Sequence, residues 1–332
     1  QVMQGADSEA LISKMAGIVV SDSGIEASGR NVSKVLLDGQ EFFGNDVLTA
    51  LRTIPADMVA QVEVINKLSD NAQLSGVDDG EGYTVINVVT KRRKGAGTIA
   101  GRVYGSYGLS DQTGTDGSLR NNYIAGGNIS NFAEEKTVNV IGMSNNISKF
   151  NFTSSSILSG STGLDAAGGS SFKVKALSGI SSVNSLGINY TDKKCNFSYF
   201  FNDITNRNNP ISDKYTLTET EGKELHTHNE NDYRAHNMTH RFEGKITLSP
   251  NKRHSFTIKP MFQLEDMYNE KNLYGLYHYV YTDKDDVFQK QQRNIGDNDR
   301  WTIKAGASIY YRYKFNKKRR SLSFYGRYDI NR

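Results

Sequence analysis

Residues 301–315 alternate between apolar and polar side chains without interruption, and this run constrains the fold more than any other feature. One face carries Trp301, Ile303, Ala305, Ala307, Ile309, Tyr311, Tyr313 and Phe315. The other carries Thr302, Lys304, Gly306, Ser308, Tyr310, Arg312 and Lys314. A period of two predicts a β-strand. Strands of globular proteins rarely exceed about 10 residues, whereas a tilted strand crosses a bilayer in about 9–11. The run therefore favours a transmembrane β-barrel.

The same alternation recurs in residues 98–109, 195–202, 238–248 and 255–264, and the charges keep to one face. The charged residues of that polar face are Arg102, Arg241, Glu243, Lys245, Lys259, Lys304, Arg312 and Lys314. The one departure is His240 on the apolar face, which can stay neutral. A lysine or arginine facing lipid at mid-bilayer costs about 2–4 kcal/mol, so the polar face is expected to line a wet lumen. A soluble β-sandwich would also place charges outward; strand length and the loop pattern favour the barrel.

Short connections alternate with long ones along this half of the chain. The predicted short turns are residues 131–136, 191–194, 249–253 and 316–320. The predicted long loops are residues 110–120, about 148–179, about 204–235 and about 265–299. Outer-membrane barrels combine short periplasmic turns with longer extracellular loops. About nine strands are predicted, and because such bacterial barrels have an even number of strands, the barrel is expected to be incomplete.

Residues 1–94 have a different, mixed α/β pattern. Helices are predicted over residues 6–15 and 47–54, the second stopped by Pro55. Strands are predicted at residues 18–20, 32–37, 61–65 and 85–90, with a turn at Asp38–Gly39. A basic run at residues 91–94 marks the boundary, so we predict a small α/β domain at 1–94 and the first part of a barrel at 95–332.

Composition excludes several classes of protein. The single cysteine, Cys195, excludes an intrachain disulfide framework. No apolar stretch of 18 residues is present, so no transmembrane helix is predicted. The net charge of +4 is too small to indicate a nucleic-acid partner. Neither a signal peptide nor a natural end is recognisable, and both ends are expected to be truncated.

Several motifs, in order, resemble a known family. They are residues 14–18 (with Ala16 where proline is usual), 33–43, 54–59, 62–64, 76–80 and 85–91, and in the barrel 185–190 and 240–242. These stretches resemble the C-terminal part of the plug domain, and the barrel, of TonB-dependent outer-membrane receptors, in the Bacteroidetes branch. The resemblance implies a plug inside a 22-stranded barrel, of which more than half would lie outside this chain.

The resemblance also implies a function: uptake of a scarce solute (an iron complex, vitamin, glycan or peptide) across the bacterial outer membrane. The implied partners are outer-membrane lipid, a TonB-type energising protein acting through a region outside this chain, the unknown solute and a surface lipoprotein. Ligand contacts are expected from plug loops 40–46 and 66–82 and from loops 204–235 and 265–299. Two alternatives stay open: an outer-membrane structural or adhesive anchor, and a secreted soluble β-protein.

Three groups of residues are candidate ligand-binding sites, all expected in loops. Asp78 and Asp79 form an acidic turn without the spacing of a calcium-binding EF-hand. His226 and His228 lie two apart in a polar segment, without cysteine or a placed carboxylate, so no metal site is predicted. Tyr274, Tyr277 and Tyr279, near His278, form a predicted aromatic cluster; such rings can stack on a ligand, and the favoured interpretation is packing within the loop or an interfacial aromatic girdle. No catalytic constellation and no cofactor site stand out, so an enzyme is not predicted.

Overall fold

The computed structural model describes residues 8–21, 24–43, 47–69, 72–73, 78–91, 97–110, 120–133, 136–149, 179–217, 223–281, 288–316 and 320–332. Two β-sheets account for most of them. A small mixed sheet lies within residues 18–90, and a large antiparallel sheet lies within residues 98–331. The predicted fold class, mainly β with an incomplete antiparallel barrel after a small α/β part, is confirmed.

The small sheet has six strands in the order β1-β2-β3-β6-β5, with β4 pairing β3. Their bounds are β1 Ile18–Ser21, β2 Gly24–Ala27, β3 Arg30–Leu37, β4 Gln40–Phe42, β5 Val59–Leu68 and β6 Gly82–Thr90. The β3–β6 pair is parallel, and the other pairs are antiparallel. Two helices, α1 Ser8–Ile12 and α2 Val47–Thr53, and a 3-10 turn at Ala56–Met58 accompany the sheet. Among the described residues, no helix has both the length and the apolar character needed to cross a membrane.

The turn between β3 and β4 sets the position of β4. Asp38 and Gly39 both have positive φ, +49° and +84°, as a two-residue type I′ hairpin requires. The carboxylate of Asp38 also accepts hydrogen bonds from the backbone N–H (2.9 Å) and the hydroxyl (2.7 Å) of Thr90 on β6. The tight turn and this anchor hold β4, and with it Glu41, at one end of the small sheet.

The core of the small sheet is apolar. Its fully buried large side chains are Ile12, Ile25, Val35, Phe42, Phe43, Leu51, Ile54, Ile86 and Val88. The two helices supply one side of this core, because α2 places Leu51 against β3 and α1 places Ile12 in the same cluster. Two residues of the large sheet, Ile141 and Phe200, belong to this cluster as well.

The large sheet has nine strands in sequence order, as predicted, and a tenth short strand, β12, beside β13. The bounds are β7 Thr98–Ser110, β8 Arg120–Phe132, β9 Lys136–Asn145, β10 Ile180–Asp192, β11 Cys195–Asn208, β12 Ile211–Leu217, β13 Lys223–Leu248, β14 His254–Tyr281, β15 Phe288–Lys314 and β16 Ser321–Asn331. Strands β7 and β16 are the two edges, so the sheet does not close among the described residues.

The two faces of the large sheet differ as the charge pattern predicts. Along β10, Val183, Asn189 and Thr191 point inward and are buried, whereas Leu186 and Ile188 alternate with them and are exposed. Val103 is 87% exposed on the same outer face as Ile188. An apolar outer face and a charged inner face are the arrangement of a barrel wall in lipid.

Two predicted long loops are wrong. Residues 204–235 and 265–299 are largely strand, because β13, β14 and β15 run for 26, 28 and 27 residues. The polar residues there are weak strand formers. Pairing nevertheless continues in constant register from Leu248–Phe256 to Glu224–Val280, and this ladder overrides local propensity. The predicted loop residues 111–119 and 150–178 lie outside the described residues.

Pro260 interrupts the ladder inside β14, and the strand beside it accommodates the interruption. The β13–β14 pairs Glu243–Met261 and Ile246–Ile258 are present, but the two intervening pairs are missing. Proline cannot donate to the ladder. Gly244 lies opposite it in register, where a Cβ would come within 3.1 Å of Pro260 Cγ and 2.9 Å of Phe197 Cδ1. A glycine here lets the two strands stay together around the proline ring.

We expect Gly244→Val to lower the free energy of unfolding by about 1–3 kcal/mol, through steric overlap with Pro260 and Phe197. The change is measured by denaturant titration. The fraction of folded barrel at each denaturant concentration is read from the band that keeps its folded electrophoretic mobility in unheated samples. Gly296→Val, at a strand glycine with open space around its Cβ position, is the matched control and should change stability little. Equal losses in the two variants would contradict the packing argument.

Candidate functional site

The small sheet lies against the inner face of the large sheet, and this contact is the candidate site. The Phe43 ring packs on Phe200 of β11, with ring centroids 5.5 Å apart. The side-chain amide of Asn128 on β8 donates to the carbonyl of Thr53 at the end of α2, at 3.2 Å. Apolar packing and hydrogen bonds thus join the two sheets at more than one point.

Glu41 on β4 makes the densest set of contacts between the sheets. Its carboxylate accepts hydrogen bonds from Lys245 Nζ on β13 at 2.7 Å and from Lys34 Nζ on β3 at 3.3 Å. Its carbonyl oxygen accepts from Thr191 Oγ1 at 3.1 Å and from the Asn196 side-chain amide. One residue therefore attaches the small sheet to β10, β11 and β13 at once.

The charge environment of Glu41 favours the ionised carboxylate. Burial by itself raises the pKa of Glu41, but the positive charges of Lys34, Lys245 and Lys259, with the hydrogen bond from Lys245, hold the pKa below its usual value. The carboxylate is therefore charged at neutral pH and acts as an ionic contact between the sheets. Sequence reasoning missed this residue, because a lone glutamate in a short strand carries no local signal.

Asp78 and Asp79 precede β6, and their carboxylates are used inside their own turn. Asp78 accepts from the backbone N–H of Gly80 at 2.9 Å, and Asp79 accepts from the N–H of Glu81 at 3.1 Å. Asp79 also accepts from the Ser69 hydroxyl, the main cause of the lowered pKa of Asp79. Asp78 borders an open cavity of about 590 Å³. These bonds give the pair a structural role in shaping the rim of that cavity.

His226 and His228 lie on strand β13, not in a loop, and they are on its outer face. The register places them in line with His240, whereas Arg241 and Lys245 alternate onto the inner face. His228 Nδ1 lies 2.6 Å from Asp213 Oδ1 and His228 Nε2 lies 3.1 Å from Glu230 Oε1, so a protonated imidazole donates to both carboxylates. No group of three metal-binding side chains occurs among the described residues. The histidines therefore face away from the small sheet.

The predicted tyrosine cluster is split between two faces of a strand, so its three tyrosines do not form one continuous aromatic surface. Tyr277 and Tyr279 pair with Thr227 and Leu225 and lie on the inner face of β14. Tyr274 pairs with Glu230 and lies on the outer face. Successive residues of a strand point to opposite faces, and a segment expected to be a loop turned out to be a strand.

We expect the β12–β13 hairpin to lose stability as the pH rises through the raised pKa of His228. Hydrogen bonds to Asp213 and then Glu230 raise that pKa, so the protonated form is favoured when the hairpin is paired. This stabilisation is complete below the unfolded pKa of about 6.5 and is lost above the folded value. Hydrogen exchange of amides in residues 211–217 measures it. Asp213→Asn should flatten the pH dependence of this hydrogen exchange. An unchanged pH dependence would contradict its assignment to His228.

No protein-family model matches the chain, and no curated protein matches it. Among solved structures, the chain is similar to the FpvAI–pyocin S2 complex, with 12% identity and a TM-score of 0.36 over 98% of this chain and 48% of that chain. It is similar to Pseudomonas aeruginosa FpvA bound to heterologous pyoverdines, with 11% identity and a TM-score of 0.30 over 98% and 50%. It is also similar to BauA, the ferric preacinetobactin receptor from Acinetobacter baumannii, with 11% identity and a TM-score of 0.25 over 98% and 58%. The chain spans about half the length of the first two.

The fold and the contact at Glu41 define the architecture: a small mixed sheet packs on the inner face of an open antiparallel barrel wall. In the widest outer-membrane barrels such a filling closes a lumen that would otherwise be an open channel.

Proposed function

We propose that this chain is part of a TonB-dependent receptor of the bacterial outer membrane that takes up a scarce solute. The observation that supports it best is the attachment of the small sheet, through Glu41, to the charged inner face of a wall whose outer face is apolar. In this proposal residues 1–94 are the C-terminal part of a plug and residues 95–332 are part of the barrel.

The proposed mechanism uses the plug as a movable barrier. A solute binds above the plug, and an energising TonB-type protein pulls from the periplasm through a region outside this chain. The contacts at Glu41 are polar and exchangeable with water, so a directed pull can break them one after another. The activity is transport and involves no catalysis. The Bacteroidetes branch, the surface lipoprotein and the class of solute (iron complex, vitamin, glycan or peptide) belong to the same proposal.

Deletion of the full-length gene, followed by growth on single limiting solutes, tests the proposal. We expect loss of growth on one solute class, and rescue by the intact gene only while the energising protein is present. The protein should fractionate with the outer membrane. Normal growth of the deletion strain on every iron complex, vitamin, glycan and peptide tested would contradict uptake.

An outer-membrane anchor or adhesin is the second candidate, and the length of β13–β15 favours it. A strand of 28 residues extends about 90 Å, several times the apolar band of about 25 Å of an outer-membrane barrel. The three strands thus form a ribbon that projects far from the bilayer. In the deletion strain, lost surface attachment with normal solute uptake would favour this candidate over transport.

A further inference from the structure

A second site lies on the inner face of the wall, between the Glu41 contact and the short turn 249–253. It is a cavity of about 260 Å³ over β13, β14 and β15, and among the described residues Gln73 is its one lining residue from the N-terminal part of the chain. Its charged lining residues are Lys245, Lys259, Arg312 and Lys314. No described lining residue is acidic, and most of the others carry hydroxyl groups.

The positive charges occupy both ends of the cavity. Lys245 on β13 and Lys259 on β14 line the end near Glu41, whose carboxylate accepts a hydrogen bond from Lys245 Nζ. Arg312 lies opposite Ser255, four residues along β14 from Lys259, a distance of about 13 Å, and Lys314 lies beyond it. This spacing separates the backbones, and the long side chains from both ends line the same cavity, so a compact solute with two oxyanionic groups can contact both ends.

The carboxylates near the cavity already have cationic partners. Glu41 is shared between Lys34 and Lys245, Glu243 pairs with Arg241, and Asp329 pairs with Arg327. Lys259 Nζ stands 5.2 Å from the ring centroid of Tyr310, a cation–π contact. Arg312 and Lys314 have no carboxylate partner among the described residues, so their positive charge is left for a ligand to compensate.

The Arg312 guanidinium supplies an independent sign of a missing acceptor. Its Nε is buried and has no hydrogen-bond partner among the described residues. A buried charged donor without an acceptor costs free energy, and guanidinium groups match carboxylate and phosphate oxygens in a two-point geometry. The cavity volume is several times the share of about 30 Å³ that one water takes in the liquid, so it admits a small solute.

We propose that this cavity binds a small solute carrying at least two carboxylate or phosphate groups, with Lys245 and Lys259 holding one group and Arg312 and Lys314 the other. The hydroxyl groups between the two ends can donate to the middle of the solute. The placement of this cavity on the path of the transported solute rests on the proposed function. The binding of the solute to the cavity does not depend on that function.

Calorimetric titration of the purified full-length protein in detergent tests the site, with inorganic pyrophosphate, citrate and uncharged trehalose as probes. We expect saturable binding of pyrophosphate, citrate or both, and the stronger of the two identifies the preferred head group. Trehalose should not bind. Arg312→Gln and the more exposed Lys314→Gln should each weaken binding about tenfold, the loss expected for one charge-assisted hydrogen bond.

Lys271→Gln is the matched control, because it removes the same charge from the inner face of β14, about 40 Å further along the strand. Its affinity should equal that of the unmodified protein. Absence of saturable binding of both oxyanions, or an equal loss in Lys271→Gln, would overturn the proposal. Intact binding together with failed uptake in cells would count against the transport function and leave the site standing.

Discussion

A covalent bridge between positions 41 and 196 is expected to stop uptake completely. The side-chain amide of Asn196 on β11 donates to the carbonyl of Glu41 on β4, so cysteines at these two positions are neighbours across the contact between the sheets. Dibromobimane, which becomes fluorescent when it joins two thiols, should cross-link Glu41→Cys and Asn196→Cys in a Cys195→Ser background. If the small sheet must move for the solute to pass, uptake should fall to the level of the deletion strain.

The controls separate the bridge from the substitutions. Each single-cysteine variant, treated with the same reagent, should transport at the rate that it shows before treatment. The untreated double variant shows how much uptake is lost when the native contacts of Glu41 and Asn196 are removed without a bridge. A fluorescent, fully cross-linked protein that still transports would contradict movement of the small sheet during uptake. Absence of fluorescence in the double variant would contradict the contact itself.

Glu41→Gln is expected to weaken the attachment of the small sheet by about 2 kcal/mol. The amide leaves Lys34 and Lys245 half-buried without their carboxylate, and breaking a buried ion pair from one side is costly. Lys245 is 32% exposed, and solvent screening lowers the effect below that of a fully buried pair. The denaturant concentration at which trypsin begins to cleave the small sheet in the folded barrel measures the change.

The pH dependence identifies the ion pair as the cause. Because the pKa of Glu41 is lowered in the folded protein, the carboxylate contributes fully above the usual glutamate pKa of about 4.3. This contribution is lost as the pH falls through the lowered pKa. Glu41→Gln should remove that dependence, whereas Glu26→Gln, at an exposed position of the same sheet, should keep it. Identical pH profiles for the two variants would be incompatible with an ionic attachment at Glu41.

Local patterns predicted the large sheet well where the sequence alternates. The charged residues within 302–314 and 241–245 lie on the inner face, because a charge that faces lipid is costly. This cost applies to each residue separately, so it can be predicted from the local sequence. The pattern failed for residues 223–235 and 265–281, where polar side chains occur on both faces. There the ladder of β13 and β14 continues beyond the alternating segment, and pairing with a neighbour decides the structure.

The candidate site was beyond the reach of local patterns for the same reason. The short sequence Asp38–Gly39 predicts the hairpin that carries Glu41, but the partners Thr191, Asn196 and Lys245 lie 150 or more residues away. The candidates that sequence reasoning did select, such as His228 and Tyr274, were chosen by residue type. The strand register then placed both on the outer face, away from the small sheet.

The sequence by itself determined the strands with one apolar and one charged face, their turns, and the change from a mixed α/β segment to a β segment. These properties depend on the period of the side chains along the chain and on the cost of placing each one in lipid or water. Only the tertiary structure decided that Glu41 meets Lys245 and that Lys259 and Arg312 share one cavity. Those encounters depend on the register between strands and on where the small sheet sits, which are set by packing between residues far apart in the chain.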